Sequence, residues 1–116
     1  LENYADKTTK FVFHCYSGTI EQTREIIHKG YYVSFTGIIT FKNAEIARDC
    51  VKTVPLEKMM IETDCPFMSP EPMRKQKINE PALLVYTAQK IAELKGVDIE
   101  TLAEQLERNT KEFFGI

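Results

Sequence analysis

No apolar run in the 116-residue chain approaches the roughly 18 residues that a membrane span needs, so a soluble protein with no membrane partner is expected. The opening stretch LENYADKTTK lacks the apolar centre of a secretory signal. Cysteine is scarce: three residues, an odd number with no CxxC pair, argue against a disulfide framework and for a reducing cytoplasm. Positive charge is not in excess either. With a net charge of −2, bulk charge cannot hold a nucleic acid, so a polyanionic substrate would need a bound cation or a few well-placed Lys and Arg residues. Low-complexity segments and internal repeats are also missing. What remains is 43% hydrophobic and 28% charged, the composition of one globular domain or a piece of a larger one.

The apolar pattern alternates between two periods. FVFHC (11–15) reads as a short strand, and the following segment places Ile20, Ile26 and Ile27 on one helical face. Thr19 with Gln22 three residues on forms a capping box, and Gly30 suits the position after the helix. YYVSFTGIITF (31–41) predicts a second strand, broken by Gly37. Asn43 is the expected cap of a helix carrying Ile46, Ala47, Cys50 and Val51, ended by Pro55, and EKMMIET (57–63) is the expected third strand. Short connections between such units imply right-handed crossovers and a parallel sheet.

The rhythm then changes. DCPFMSPEPMRKQKINEP holds four of the five prolines and is long for a connector, as functional loops and lids are. Two helices close the chain. The first runs over Pro81–Lys95 and stops at Gly96; the second is capped by Asp98 and carries Ile99, Leu102, Ala103, Leu106 and Phe113 as its apolar stripe.

Parallel strands share one direction, so their C-terminal ends lie along one rim, where α/β folds build their sites. His14 ends the first strand, Thr36 and Gly37 end the second, and Asp64 follows the third in MMIETDCPF. Imidazole and carboxylate together suit zinc, or a harder divalent ion with further oxygen ligands. Strict alternation would turn Val12 and His14 to one face, with Met60, Glu62 and Asp64, and would turn Cys15 and Cys65 away as small packing residues. Glu62, an inward charge, then needs a partner and is expected to support the site. Other uses exist for the same residues. A histidine at a strand end also serves as a structural residue, Asp64 before Cys-Pro can simply start a turn, and Arg74, Lys75 and Lys77 can be a solvated loop. His28 beside Lys29 suits a helix C-terminus.

HCYSGT (14–19), YYVSFTGIITFKNAE (31–45), MMIETDCPFMSP (59–70), NEP (79–81) and NTKEFF (109–114) together resemble the TatD-related deoxyribonucleases, metal-dependent hydrolases on a TIM barrel. The resemblance runs through nearly the whole chain in order and spacing. A TIM barrel has roughly 250 residues around eight strands, so residues 1–116 align with the C-terminal half of such a barrel: an α/β chain forming a partial TIM (β/α)8 barrel with about three parallel strands and four helices. The family's early His-x-His pair, bridging glutamate and further histidine have no counterparts here.

The resemblance implies hydrolysis of DNA phosphodiesters from an end, with divalent metal ions (Mg, Mn or Zn) as cofactors. It implies that Asp64 is the catalytic residue, binding metal and orienting or deprotonating water, and that His14 ligates metal or stabilises the phosphate. Ser17 and Arg74 are the expected substrate-binding residues: Ser17, with Gly18, shapes the pocket beside His14, and Arg74 approaches substrate phosphate. Tyr16 and Cys65 depart mildly from the family's usual phenylalanine and alanine. Two ligands rarely hold a catalytic zinc, so little nuclease activity is expected of the chain alone. Half a barrel also exposes sheet edges, and self-association or a missing N-terminal half is expected to cover them. Ester hydrolysis on aminoacylated tRNA and a non-catalytic self-assembling fragment are the alternatives.

Overall fold

The computed structural model describes residues 9–116; most of the opening stretch read for a secretory signal lies outside the described residues. Three short strands, β1 (Val12–Phe13), β2 (Tyr32–Phe35) and β3 (Met59–Ile61), form one sheet in the order β1-β2-β3. Both pairings are parallel, with Val12 opposite Tyr32, and Val33, Ser34 and Phe35 opposite Met59, Met60 and Ile61. The helices are α1 (Ile20–His28), α2 (Glu45–Thr53), α3 (Leu84–Lys95) and α4 (Ile99–Phe114). The expected three parallel strands and four helices of a partial α/β barrel are all present.

Paired residues in a parallel sheet project to the same face, so Val33, Phe35 and Met59 meet the helices together. They join Ile26, Ile39, Cys50, Val51, Val54, Ile91, Ala92 and Leu102 in one core. All four residues of β2 are buried, as befits the central strand. Ile26 carries the buried face of α1, with Ile20 and Ile27 packed at its margin. The capping box forms as expected: Thr19 Oγ1 accepts from Gln22 N at 3.1 Å, and Gln22 Oε1 accepts from Thr19 N at 2.9 Å. Asp98 caps α4 by accepting from Thr101 N at 2.7 Å. Gly96, at φ +66°, ends α3 in the left-handed conformation.

Four local expectations need correction. The second strand stops at Phe35, because the Thr36 side chain accepts from Ile38 N and starts a 3-10 turn over Gly37–Thr40. The third strand is shorter than 57–63, since a 3-10 turn over Leu56–Lys58 leads into it. A 3-10 turn over Pro81–Leu83 likewise precedes α3. Asn43 does not cap α2; Ala44 holds that place without a side-chain bond. Arg48, one turn into α2, instead secures the entry by donating to the carbonyls of Ile39, Phe41 and Lys42. On α4, Leu102 is buried and Leu106 half-buried, whereas Ile99 and Ala103 lie exposed at the edge of the stripe.

Asn109 fastens α4 beneath the sheet. Its buried amide donates to the carbonyls of Leu56 at 2.6 Å and Met59 at 2.7 Å, holding the chain as it enters β3. Lys95 does similar work at the end of α2, donating to the carbonyls of Lys52 and Val54. Burial pushes the Lys95 ammonium pKa down from its ordinary value.

Candidate functional site

The rim residues begin where β1 ends. His14 leaves the strand with a side chain 79% exposed, so its ring is open to a ligand. Cys15 follows at φ +48°, a left-handed turn that non-glycine residues seldom take. That turn breaks the alternation and corrects the expectation for Cys15. Its thiol lies 4.0 Å from Asp64 Oδ2 and 3.8 Å from Met68 Sδ, on the site side of the sheet. Burial, reinforced by the negative charges of Asp64 and Glu62, pushes the thiol pKa up, while a hydrogen bond with Thr36 acts in the opposite direction. Cys65 is exposed rather than packed.

Glu62 organises the other end. Its backbone N–H extends the β2–β3 ladder by donating to Phe35 O at 3.0 Å. Its carboxylate reaches across β2: Oε2 accepts from Cys15 N at 3.1 Å, and Oε1 lies 3.5 Å from His14 Nδ1. With Nδ1 turned to a carboxylate, Nε2 is left facing outward, the arrangement that orients metal-binding histidines. Asp64 then turns at φ +53°. Thr63 Oγ1 accepts from Cys65 N, and Phe67 N donates to Asp64 O, so the carboxylate sits in a tight turn.

The following loop is tied back to this turn by Asn79. Its buried amide donates to Thr63 O at 2.9 Å and Phe67 O at 2.7 Å, and its Oδ1 accepts from Glu80 N. Gly37 provides the seat below: a Cβ there would lie 2.7 Å from Met68 O. Ser17 is exposed between β1 and α1, and no hydrogen bond joins it to His14 or Asp64. Arg74 stands apart from the His14–Glu62 pair, with its guanidinium carbon 3.6 Å from the centroid of the Phe41 ring. Sequence reasoning missed Phe41, Met68 and the work of Asn79; only Asn79 carried a signal, as the first residue of Asn-Glu-Pro before a helix.

As metal donors, His14 and Asp64 have the right chemistry, nitrogen and carboxylate oxygen from two strand ends. They are also too few. Among the described residues no group of three or more His, Cys, Asp or Glu side chains is placed to hold an ion. The residues therefore fit a divalent metal as part of a ligand set, short of the three protein ligands of a catalytic zinc. An apolar cavity of about 320 Å³, lined by Phe13, Tyr16, Ile26 and Tyr31 among others, includes none of the rim residues.

The family model described as TatD related DNase matches residues 1–115. The chain belongs to the TatD-related DNase family. It is 42% identical over 105 residues to "Uncharacterized metal-dependent hydrolase YabD" of Bacillus subtilis, a match covering 90% of this chain and 41% of that protein. It is 34% identical to "3'-5' ssDNA/RNA exonuclease TatD" of Citrobacter rodentium, covering 100% of this chain and 46% of the relative. Among solved structures, the TatD homologue YJJV from Escherichia coli superposes with a TM-score of 0.82 at 28% identity, over 90% of this chain and 40% of that one. The chain thus spans less than half the length of these TatD-related proteins, and its fold is the corresponding part of their barrel. No helix among its described residues is long and apolar enough to cross a membrane.

Proposed function

We propose that the chain is the C-terminal portion of a metal-dependent phosphodiesterase that hydrolyses DNA from an end, with His14 and Asp64 as its share of the metal ligands. The observation that carries this reading is the Glu62 bridge. One carboxylate faces the His14 ring at 3.5 Å and accepts the Cys15 amide at 3.1 Å, fixing an exposed imidazole next to the Asp64 turn. Membership of a family described as TatD related DNase supports the substrate class.

A bound divalent ion would supply charge to neutralise a phosphoryl oxygen and would lower the pKa of a water. The chain's own residues do the rest. His14 would ligate the ion through its exposed imidazole, with Glu62 steadying the ring through Nδ1. Asp64 would help to hold the ion and would orient the attacking water and accept its proton. Cys15 donates its thiol hydrogen toward Asp64 Oδ2, an uncharged neighbour that leaves the carboxylate's charge intact. The remaining ligands come from a segment that completes the barrel, either a preceding part of the same protein or a second copy.

The test is hydrolysis of end-labelled single-stranded DNA by this chain fused behind the N-terminal portion of YabD, with magnesium, manganese or zinc. EDTA should stop cleavage, and His14→Ala and Asp64→Ala should each slow it by about a hundredfold or more. A folded fusion that binds divalent metal, leaves DNA intact and cleaves a different ester would overturn the reading.

A further inference from the structure

Three donor atoms of another kind meet beside the rim. Cys15 Sγ lies 3.8 Å from Met68 Sδ and 4.0 Å from Asp64 Oδ2. The residues come from two separate places, just past the end of β1 and the turn and loop after β3. Each takes the left-handed backbone conformation, with φ +48° at Cys15, +53° at Asp64 and +59° at Met68. Among the described residues no other non-glycine residue has a positive φ. Side chains seldom take this conformation, and they keep it where the surroundings hold them there. Asn79 does the holding: its amide fixes the carbonyls of Thr63 and Phe67, the residues just before Asp64 and Met68. The Met68 carbonyl also rests against Gly37. The three donors are therefore set in place by the fold itself.

Sulfur decides which ligand suits them. A thiol and a thioether are weak hydrogen-bond partners but strong donors to soft cations, whereas magnesium and calcium prefer oxygen. Two sulfurs bound to one ion at about 2.3 Å, the usual metal–thiolate length, stand about 4 Å apart at a trigonal angle. The observed 3.8 Å agrees. Cys50 shows the contrast. It is 1% exposed, and its thiol is occupied by the Thr23 hydroxyl and the Gly18 carbonyl, as a packed structural thiol is. The Cys15 thiol has one hydroxyl neighbour, Thr36, and otherwise faces the thioether and the carboxylate. Cys15, Asp64 and Met68 are all half-buried, so an ion from solvent can reach them.

We infer that Cys15, Met68 and Asp64 form a site for a single soft cation, copper(I), bound through the Cys15 and Met68 sulfurs with Asp64 Oδ2 as its oxygen donor. His14, the nitrogen donor of the proposed hydrolytic centre, is not needed. Binding forms a copper–sulfur bond and breaks the thiol S–H bond. The proton goes to solvent, and no electron changes hands because the ion enters as copper(I). An ion held there takes up an Asp64 oxygen, so it competes with a divalent ion at the rim. That consequence rests on the hydrolytic reading; the sulfur site does not.

The experiment is anaerobic titration of the full chain with copper(I) against bicinchoninate, a coloured copper(I) chelator. A Cys65→Ser background removes the exposed thiol. One copper(I) per chain should bind. Cys15→Ser should weaken binding by about a hundredfold or more, and Asp64→Asn by about tenfold, as altered metal sites do. Met68→Leu, nearly equal in volume, should also weaken it by about tenfold. X-ray absorption at the copper edge should count two sulfurs at about 2.3 Å, and one in Met68→Leu. An excess of magnesium should not displace the ion. No copper(I) bound, unchanged affinity in any of the three variants, or a single sulfur at the copper of the parent protein would overturn the site. The Met68→Leu comparison stands even where Cys15→Ser fails to fold. No arm depends on DNA cleavage or on a divalent metal, so this test and the one with His14→Ala and Asp64→Ala can fail separately.

Discussion

The Cys15 amide and the Glu62 carboxylate are joined at 3.1 Å although their strands are not neighbours. β2 lies between β1 and β3, so this bond passes across the end of the central strand and ties the outer two together. The same carboxylate faces His14. Glu62→Ala should therefore lower unfolding stability by about 2 kcal/mol, the loss of a charge-assisted hydrogen bond. Glu62→Gln keeps an acceptor and should lose about half as much. Urea denaturation of the three proteins measures this, and amide exchange at Cys15 should rise in the same order.

Asn79 makes a different prediction, local rather than global. Its amide holds the carbonyls of Thr63 and Phe67, one on each side of the Asp64 turn. Asn79→Ala should leave the core intact but free the loop, and trypsin cleavage at Arg74, Lys75 and Lys77 should speed up by about tenfold, the effect of roughly one lost hydrogen bond on a local opening. A cleavage rate like that of the wild type would mean that the loop is held elsewhere.

For Asn109 the expectation is global loss of stability. It is 1% exposed and satisfies two backbone carbonyls, Leu56 and Met59, at the entry to β3. Asn109→Ala should cost about 3 kcal/mol, because both carbonyls are left buried without their donor. Asn109→Asp should cost more, since an ionised carboxylate cannot donate to them and would itself be buried. Denaturant midpoints decide between these outcomes.

The α4 cap gives the pH dependence. The backbone N–H of Thr101 holds the Asp98 carboxyl pKa below its ordinary value of 3.8. A carboxylate whose folded pKa is depressed adds stability that is complete above the unfolded value and is lost as pH falls through the folded one. Wild-type stability should therefore decline below the ordinary carboxylate value partly through Asp98. Asp98→Asn keeps a capping oxygen that does not titrate, so its stability relative to wild type should improve as the pH is lowered from neutrality to about 3. Urea midpoints across that range test the sign.

How far the sequence disclosed these features depended on range. Thr19 with Gln22, Asp98 before Ile99 and Gly96 after Lys95 are local signals, and each formed as read. The apolar runs around Val33 and Met59 revealed the parallel sheet because buried strands need continuous hydrophobicity. Asn43 misled because its preference for caps was overridden by Arg48, which secures the turn from within α2. Cys15 misled for a related reason. Period-two alternation holds only while the backbone stays extended, and Cys15 turns left-handed one residue after His14. Asp64 does the same, at φ +53°. The rim residues His14, Glu62 and Asp64 were legible by type and position, but the bridge from Glu62 to the Cys15 amide spans 47 positions and left no mark in local spacing. Phe41 and Arg74 meet for equally nonlocal reasons.

Gly37 carries the last consequence. The space a methyl group would occupy is filled by the Met68 carbonyl and Pro70, so the proline-rich loop rests directly on the backbone that follows β2. There is no slack between the two layers. Even an alanine at Gly37 would have to push the Met68 carbonyl and Pro70 aside, lifting the loop away from the turn that follows β2.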